Sequence, residues 1–118
     1  MKALKISTAG VIEQIDIQAG DSLATLQAAV GGYIEILGLA RGVDLVINEE
    51  GKFAGLEHNT LADMLVRSYG LALRPGDFIV GDVVIKGTDT QGATAELAAA
   101  EVARIEAVGA ALAAALKP

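Results

Sequence analysis

The chain has no cysteine and only one histidine, His58, among its 118 residues. The first absence excludes disulfides, thiolate metal sites and cysteine catalysis, and it fits a cytoplasmic protein. The second removes most zinc sites, which draw on several histidines or thiols. Tryptophan is missing too, leaving Tyr33, Phe53, Tyr69 and Phe78 as the whole aromatic set. Bases are scarce: nine against 15 acids give a formal net charge of −6. Direct binding to nucleic acid needs a Lys/Arg footprint and is not expected. The acids never exceed two in a row, at Glu49-Glu50. That is too sparse for the phosphate-like charge ladder of a DNA mimic and reads as an acidic solvated surface.

Long apolar runs are also lacking. The charge-free stretch Ala107 to Leu116 falls short of the ~20 residues of a membrane span. Met1-Lys2-Ala3-Leu4-Lys5 lacks the apolar run of a signal peptide. Neither export nor a membrane partner is expected. Catalytic and phosphate-binding signatures are missing as well: no Gly-x-Ser-x-Gly elbow, no Gly-x-x-x-x-Gly-Lys loop, no Gly-x-Gly-x-x-Gly fingerprint.

What is present is a core. The hydrophobic fraction is 53%, and a single domain of this length buries roughly two-thirds of the surface its unfolded chain exposes. Period-two patterning predicts a hairpin from Leu4 and Ile6 through Ser7-Thr8-Ala9-Gly10 to Val11–Ile17. A helix follows, opened by Asp21 or Ser22, with Leu23, Leu26 and Val30 inward and Gly31 or Gly32 as its left-handed cap. Tyr33 to Leu39 and Val43 to Ile47 read as strands. Asn48 to Lys52 has hairpin-loop composition, with Gly51 suited to the left-handed position and Phe53 opening a short return strand. Asn59-Thr60 opens a second helix, Thr60-Leu61-Ala62-Asp63 matching a capping box with Asp for Glu. Its inner stripe is Leu61, Met64, Leu65 and Ser68. Arg74-Pro75-Gly76-Asp77 is a turn. Phe78 to Lys86 reads as the central strand, with Gly81 marking a bulge or close approach. Gly87 to Gly92 is a polar loop. Thr94 to Leu116 is an alanine-rich helix striped by Leu97, Ile105, Val108, Leu112 and Leu116, interrupted by Glu101. Its second face is small and apolar and invites another helix, such as that of a second subunit.

These elements give an α+β domain: a small antiparallel or mixed sheet, helices on one face, and a long alanine-rich C-terminal helix. Residues 1–92 form the sheet-and-helix core. Residues 93–118 form the last helix, part of the same domain and the expected oligomer contact.

The residues fit binding better than catalysis. His58, beside Glu57 and Asn59, reads either as a base or as a solvated loop residue. Glu35 and Asp82 both lie on strands and would serve acid–base chemistry if they converge. A magnesium site from Asp77, Asp82 and Asp89 matches no known loop spacing. A binding site asks for less: an apolar wall, a few polar groups and an aromatic platform. Gly31 and Gly32 permit close backbone approach. Tyr33 offers a ring and a hydroxyl, and Glu35 an acceptor on the same strand face. Asn59 offers an amide beside free helix N–H groups, which suits phosphate. Arg67 or Arg41 adds positive charge, and Asp82 a further polar group. No cofactor or metal is implied.

Gly31-Gly32-Tyr33-Ile34-Glu35, Val43-Asp44-Leu45, Asn48-Glu49-Glu50-Gly51-Lys52, Leu56 to Asn59 and Ile79-Val80-Gly81-Asp82-Val83-Val84-Ile85 follow one another in that order. The series, over about residues 1 to 92, resembles a family from bacteriophages and mobile elements labelled domain of unknown function 3846. The alanine-rich tail departs from that pattern. The resemblance implies a small accessory protein working in the host cytoplasm, of a kind that often opposes host defence. The expected function is non-catalytic: sequestering a small nucleotide-like immune signal near Tyr33, Glu35 and Asn59. The alternative is an acidic protein that inhibits a host protein by direct contact or DNA mimicry.

Overall fold

Two hairpins flank one central strand. The computed structural model describes residues 1–71, 73 and 75–116. β1 (Lys2–Ile6) and β2 (Ile12–Asp16) form the first hairpin, β3 (Ile34–Ala40) and β4 (Val43–Asn48) the second. β5 (Val83–Thr88) lies between them, antiparallel to β1 and to β4, in the order β2-β1-β5-β4-β3. A short β6 (Thr94–Ala95) pairs with the end of β5.

Period-two alternation makes both sheet faces apolar. On one, Ala3, Val46 and Val84 meet Leu26 and Val30 of α1 (Ser22–Val30), with Ile17. On the other, Leu4, Ile6, Leu45, Val83 and Ile85 are covered by α2 (Thr60–Ser68) and α3 (Ala99–Leu116). The class is α+β with an antiparallel sheet. The grouping of helices on one face describes α2 and α3. α1 takes the opposite face, because the small Ala3 and the two valines leave that side apolar as well.

Several boundaries move. The central strand begins at Val83, not Phe78. Gly81 sits at φ +75° and breaks the run, and Val80 makes only an isolated bridge to His58. A Cβ on Gly81 would lie 2.8 Å from Leu56 Cδ1, so the expected close approach is present. Leu23 is exposed rather than inward, since the nine-residue α1 turns only Leu26 and Val30 onto the sheet. Asp21 precedes α1 without a side-chain cap bond; its carbonyl accepts from the Thr25 amide and hydroxyl instead. Phe53 begins no strand: residues 49 to 55 are turns and its ring is 96% exposed. In that loop Gly55, not Gly51, holds the left-handed position at φ +70°. Gly51 is needed for space, its absent Cβ lying 2.9 Å from Val80 Cγ2. The turn glycine at Gly76 has φ +81°, as expected, while Arg74 lies outside the described residues. Thr94-Ala95 is strand rather than helix. α3 buries Val102, Ile105 and Gly109, and Leu116 is exposed.

Glu101, the break in the α3 stripe, joins α3 to the end of α2. Its Oε2 accepts from the Tyr69 hydroxyl at 2.6 Å, and Arg104 donates to both carboxylate oxygens at 3.3 Å. The guanidinium also lies over the Tyr69 ring, 4.4 Å from its centroid. Burial first, then Glu101, push the Tyr69 hydroxyl up to about 12. The Tyr69 hydrogen bond and Arg104 hold Glu101 below the ordinary carboxylate value against the effect of burial.

Two outcomes follow for the fold. A Cβ at Gly87 would lie 2.7 Å from the Glu96 carbonyl carbon and 2.8 Å from Ala95 O, all backbone of the β6 turn. Gly87→Ala therefore destabilises by about 1–3 kcal/mol in urea unfolding; wild-type stability would mean β6 is not docked on β5. Tyrosine in an unfolded chain titrates near ~10. Between there and about 12 the folded Tyr69 keeps a proton the unfolded chain has lost, so stability falls as pH rises through that window. At the acid end the depressed Glu101 contributes stability above the ordinary glutamate value and loses it as pH falls through its lower folded value. Tyr69→Phe flattens the alkaline limb of a stability-versus-pH curve and reduces the acid one.

Candidate functional site

Asn59 sits at the start of α2 because its side chain replaces a backbone partner there. Its Oδ1 accepts from the Ala62 amide at 3.0 Å, capping the helix. The cap is thus Asn59 rather than Thr60, and Asp63 falls one place beyond the capping-box position. The inner stripe keeps Leu61 and Leu65 and buries Ala62 and Val66 in place of Met64 and Ser68. The Asn59 amide nitrogen donates to Ile6 O at 3.0 Å and Gly81 O at 2.9 Å. The residue is 0% exposed. Its hydrogen-bonding capacity is used within the fold, so the expected ligand contact at Asn59 is corrected to a structural clamp.

Arg67 is also committed. Its Nε donates to Asp63 Oδ1 at 2.5 Å, and its Nη2 reaches Asp77 O at 3.3 Å. Asp63 Oδ2 lies 3.2 Å from His58 Nε2 and accepts from the Ile79 amide at 3.3 Å. Burial raises the Asp63 carboxyl, but the bonds from Arg67, His58 and Ile79 outweigh it and leave the group below its ordinary value. His58 thus stands in a structural cluster, edge-on to the Phe78 ring at 5.0 Å.

The two glycines have separate tasks. Gly31, at φ +81°, ends α1 with its amide on Gln27 O at 2.8 Å. A Cβ on Gly32 would lie 2.9 Å from Asn48 Nδ2, which donates to Val30 O at the end of α1. Gly31 and Asp82 border a shallow depression of about 370 Å³ at that helix end. There Asp82 Oδ1 accepts from the Thr8 amide at 3.0 Å, and Oδ2 lies 3.6 Å from Lys5 Nζ. Tyr33 is 68% exposed and borders neither this depression nor the groove described next.

Glu35 lines a different groove, of about 480 Å³, on the α2 side of the sheet. Leu37, Ile47, Leu71 and Leu73 form its apolar floor. Glu35, Glu49 and Asp77 stand on its walls with Lys52, Phe53 and Phe78. Lys52 is ion-paired to Asp77, and its ammonium lies 5.6 Å from the Phe78 ring centroid. Glu35 and Asp82 therefore line separate cavities, and the proposed carboxylate pair is not assembled. The Asp77–Asp82–Asp89 set is not assembled either. Asp89 caps its own turn through the Gln91 and Ala93 amides, and no group of three metal-ligating side chains converges among the described residues.

A family model described as domain of unknown function (DUF3846) matches residues 1–109. The chain belongs to that family. The DUF3846 match runs past residue 92, where the motif resemblance ended, and takes in α3 as far as Gly109. At that glycine a Cβ would overlap Ile12 Cδ1, so α3 packs closely on β2. No curated protein and no solved structure matches the chain significantly. No helix among the described residues is long and apolar enough to cross a membrane.

Phe53, Phe78 and Lys52 were not singled out from the sequence as site residues, and Asp77 figured there only in the magnesium set. The available signal was a lone aromatic in a glycine-flanked, charged loop, Glu49-Glu50-Gly51-Lys52-Phe53. Asn59→Ala leaves the Ile6 and Gly81 carbonyls without their donor and removes the α2 cap, so we expect a loss of about 2–4 kcal/mol in chemical denaturation. Asn59→Asp keeps the cap acceptor but sets a carboxylate against those carbonyls, and destabilises at least as much at neutral pH. Wild-type stability in both variants would refute the clamp.

Proposed function

We propose that this protein is a non-catalytic binding protein that holds a small nucleotide-like ligand in the groove beside Glu35. The groove itself carries the reading: an apolar floor, two phenylalanine rings and carboxylate acceptors at its walls. Phe53 and Phe78 offer faces to a flat base, and Glu35 accepts from a base N–H or a sugar hydroxyl. Three carboxylates stand against one lysine among the described wall residues. Their field disfavours phosphate, so the base and sugar enter while phosphates point to solvent. The site therefore shifts from Tyr33, Glu35 and Asn59 to Glu35 with the two phenylalanines. In the phage and mobile-element setting that the resemblance implies, such a binder sequesters a nucleotide-like immune signal in the host cytoplasm and so counters defence. The same reading includes self-association, for which the exposed Ala103, Ala107, Ala111 and Ala114 along the outer side of α3 offer one surface.

A second reading, inhibition of a host protein by direct contact, draws on Phe53. Its ring projects into solvent next to a loop carrying Glu49 and Glu50, an apolar tip beside acids that suits a basic protein surface.

Thermal unfolding with nucleosides and with linear and cyclic nucleotides tests the first reading. Ligand at ~100 times its dissociation constant adds about 2.7 kcal/mol. Phe53→Ala, at an exposed position, and Glu35→Gln abolish that gain without lowering the stability of the free protein. No stabilisation by any of these compounds, or full stabilisation in both variants, overturns the proposal. Recovery of a chemically altered ligand assigns an enzyme instead.

A further inference from the structure

Among the described residues the main ladder ends in β2 on one side and β3 on the other, and the two edges are built differently. In an antiparallel ladder, alternate residues bond inward to the neighbouring strand and the rest turn N–H and C=O outward. The Glu49 amide donates to Tyr33 O at 2.8 Å, which fixes the phase on β3. With Glu35 opposite Ile47 and Leu37 opposite Leu45, the odd-numbered residues bond to β4. Ile34, Ile36 and Gly38 therefore present unpaired backbone groups to solvent. The register shifts after Gly38, which ends the regular edge.

Edges exposed in this way are usually blunted by charge, proline or a cover. β2 is blunted. Glu13 and Asp16 lie on it, Asp16 held by the Met1 ammonium at 2.8 Å, and Gln14 reaches Glu106 on α3. β3 carries one charge, Glu35, and its sequence is otherwise Ile-Ile-Leu-Gly-Leu-Ala. Ile36 is 48% exposed.

We propose that β3 pairs with β3 of a second copy of this chain, antiparallel about a two-fold axis at Ile36. This register is self-complementary. Ile36 meets Ile36, and Ile34 meets Gly38, each pair exchanging N–H and C=O bonds through the groups that β4 leaves free. Nothing lies within 4 Å of a Cβ built on Gly38, so the position opposite Ile34 is open. Glu35 stands opposite Leu37, and the two Glu35 carboxylates never face each other directly. The exposed Ile36 side chains cover one another. The two sheets become one, with a groove beside each Glu35 on either side of the seam. The pairing does not depend on what either groove holds.

Analytical ultracentrifugation and native mass spectrometry of the full chain test this. The wild type is a dimer at high concentration. Ile36→Lys is a monomer with an unchanged circular-dichroism melt. In wild type, hydrogen exchange at the Ile34, Ile36 and Gly38 amides is slow in the dimer and speeds up at least tenfold on dilution. That readout requires no variant. Ala111→Lys, on the outer side of α3, leaves this dimer intact. A wild type that is monomeric at every concentration overturns the proposal, as does an Ile36→Lys dimer. Dissociation by Ala111→Lys with fast exchange at the β3 amides assigns self-association to α3 instead.

Discussion

The Asn59 carboxamide joins three parts of the chain that nothing else ties at one point. It takes the last carbonyl of β1, the carbonyl at the kink before β5 and the Ala62 amide of α2 into one buried group. A buried amide left partly unpaired is costly, and one with its groups engaged admits a single arrangement of its neighbours. The start of α2, the kink at Gly81 and the end of β1 are therefore set together. Where α2 starts decides which side chains face the sheet, and the buried Asp63 follows, gathering Arg67, His58 and the Ile79 amide around it. The far end of α2 is held by a second polar joint, Tyr69 on Glu101 and Arg104.

The same accounting separates structure from site. Among the described residues no buried side-chain polar atom lacks a partner. Groups with capacity to spare lie at the surface, and on the α2 side they gather around the groove beside Glu35. Asn59, Arg67 and His58 look like ligand residues by type, yet Asn59 is bonded within the fold and Arg67 and His58 each turn a nitrogen to Asp63. Glu35 and the rings of Phe53 and Phe78 have contacts to offer.

Local pattern made much of the fold legible. Alternation identified the first hairpin and the separate strands of the second, and a glycine pair after a helical stripe narrowed the left-handed cap to Gly31 or Gly32, of which Gly31 takes it. The run Phe78 to Lys86, apolar on both faces apart from Asp82, pointed to a central strand, and its second half is β5. Other features depend on contacts distant in sequence. Ala3, Val46 and Val84 are far apart in the chain, so the second apolar face that receives α1 is invisible until the strands pair. Thr94-Ala95 has the composition of a helix start and becomes strand only because β5 extends beyond β1. Of the site residues, Glu35 was legible by type. Asn59 was misassigned because a helix cap and a ligand amide have the same sequence signature, and only its partners tell them apart. Phe53 was misassigned because an aromatic after a glycine turn usually returns into a sheet, whereas here Gly55 turns the chain away.

The central place of β5 also bears on how the molecule is made. Both hairpins are complete by Asn48, yet the strand that unites them does not begin until Val83. At translation speeds of roughly 5–20 residues per second, the nascent chain spends a few seconds with β1 and β4 each lacking a neighbour. During that interval the ribosome-bound intermediate carries two sticky ribbons in place of one sheet. The acidic side chains spread over its early segments, repelling neighbouring nascent chains, are what that interval calls for.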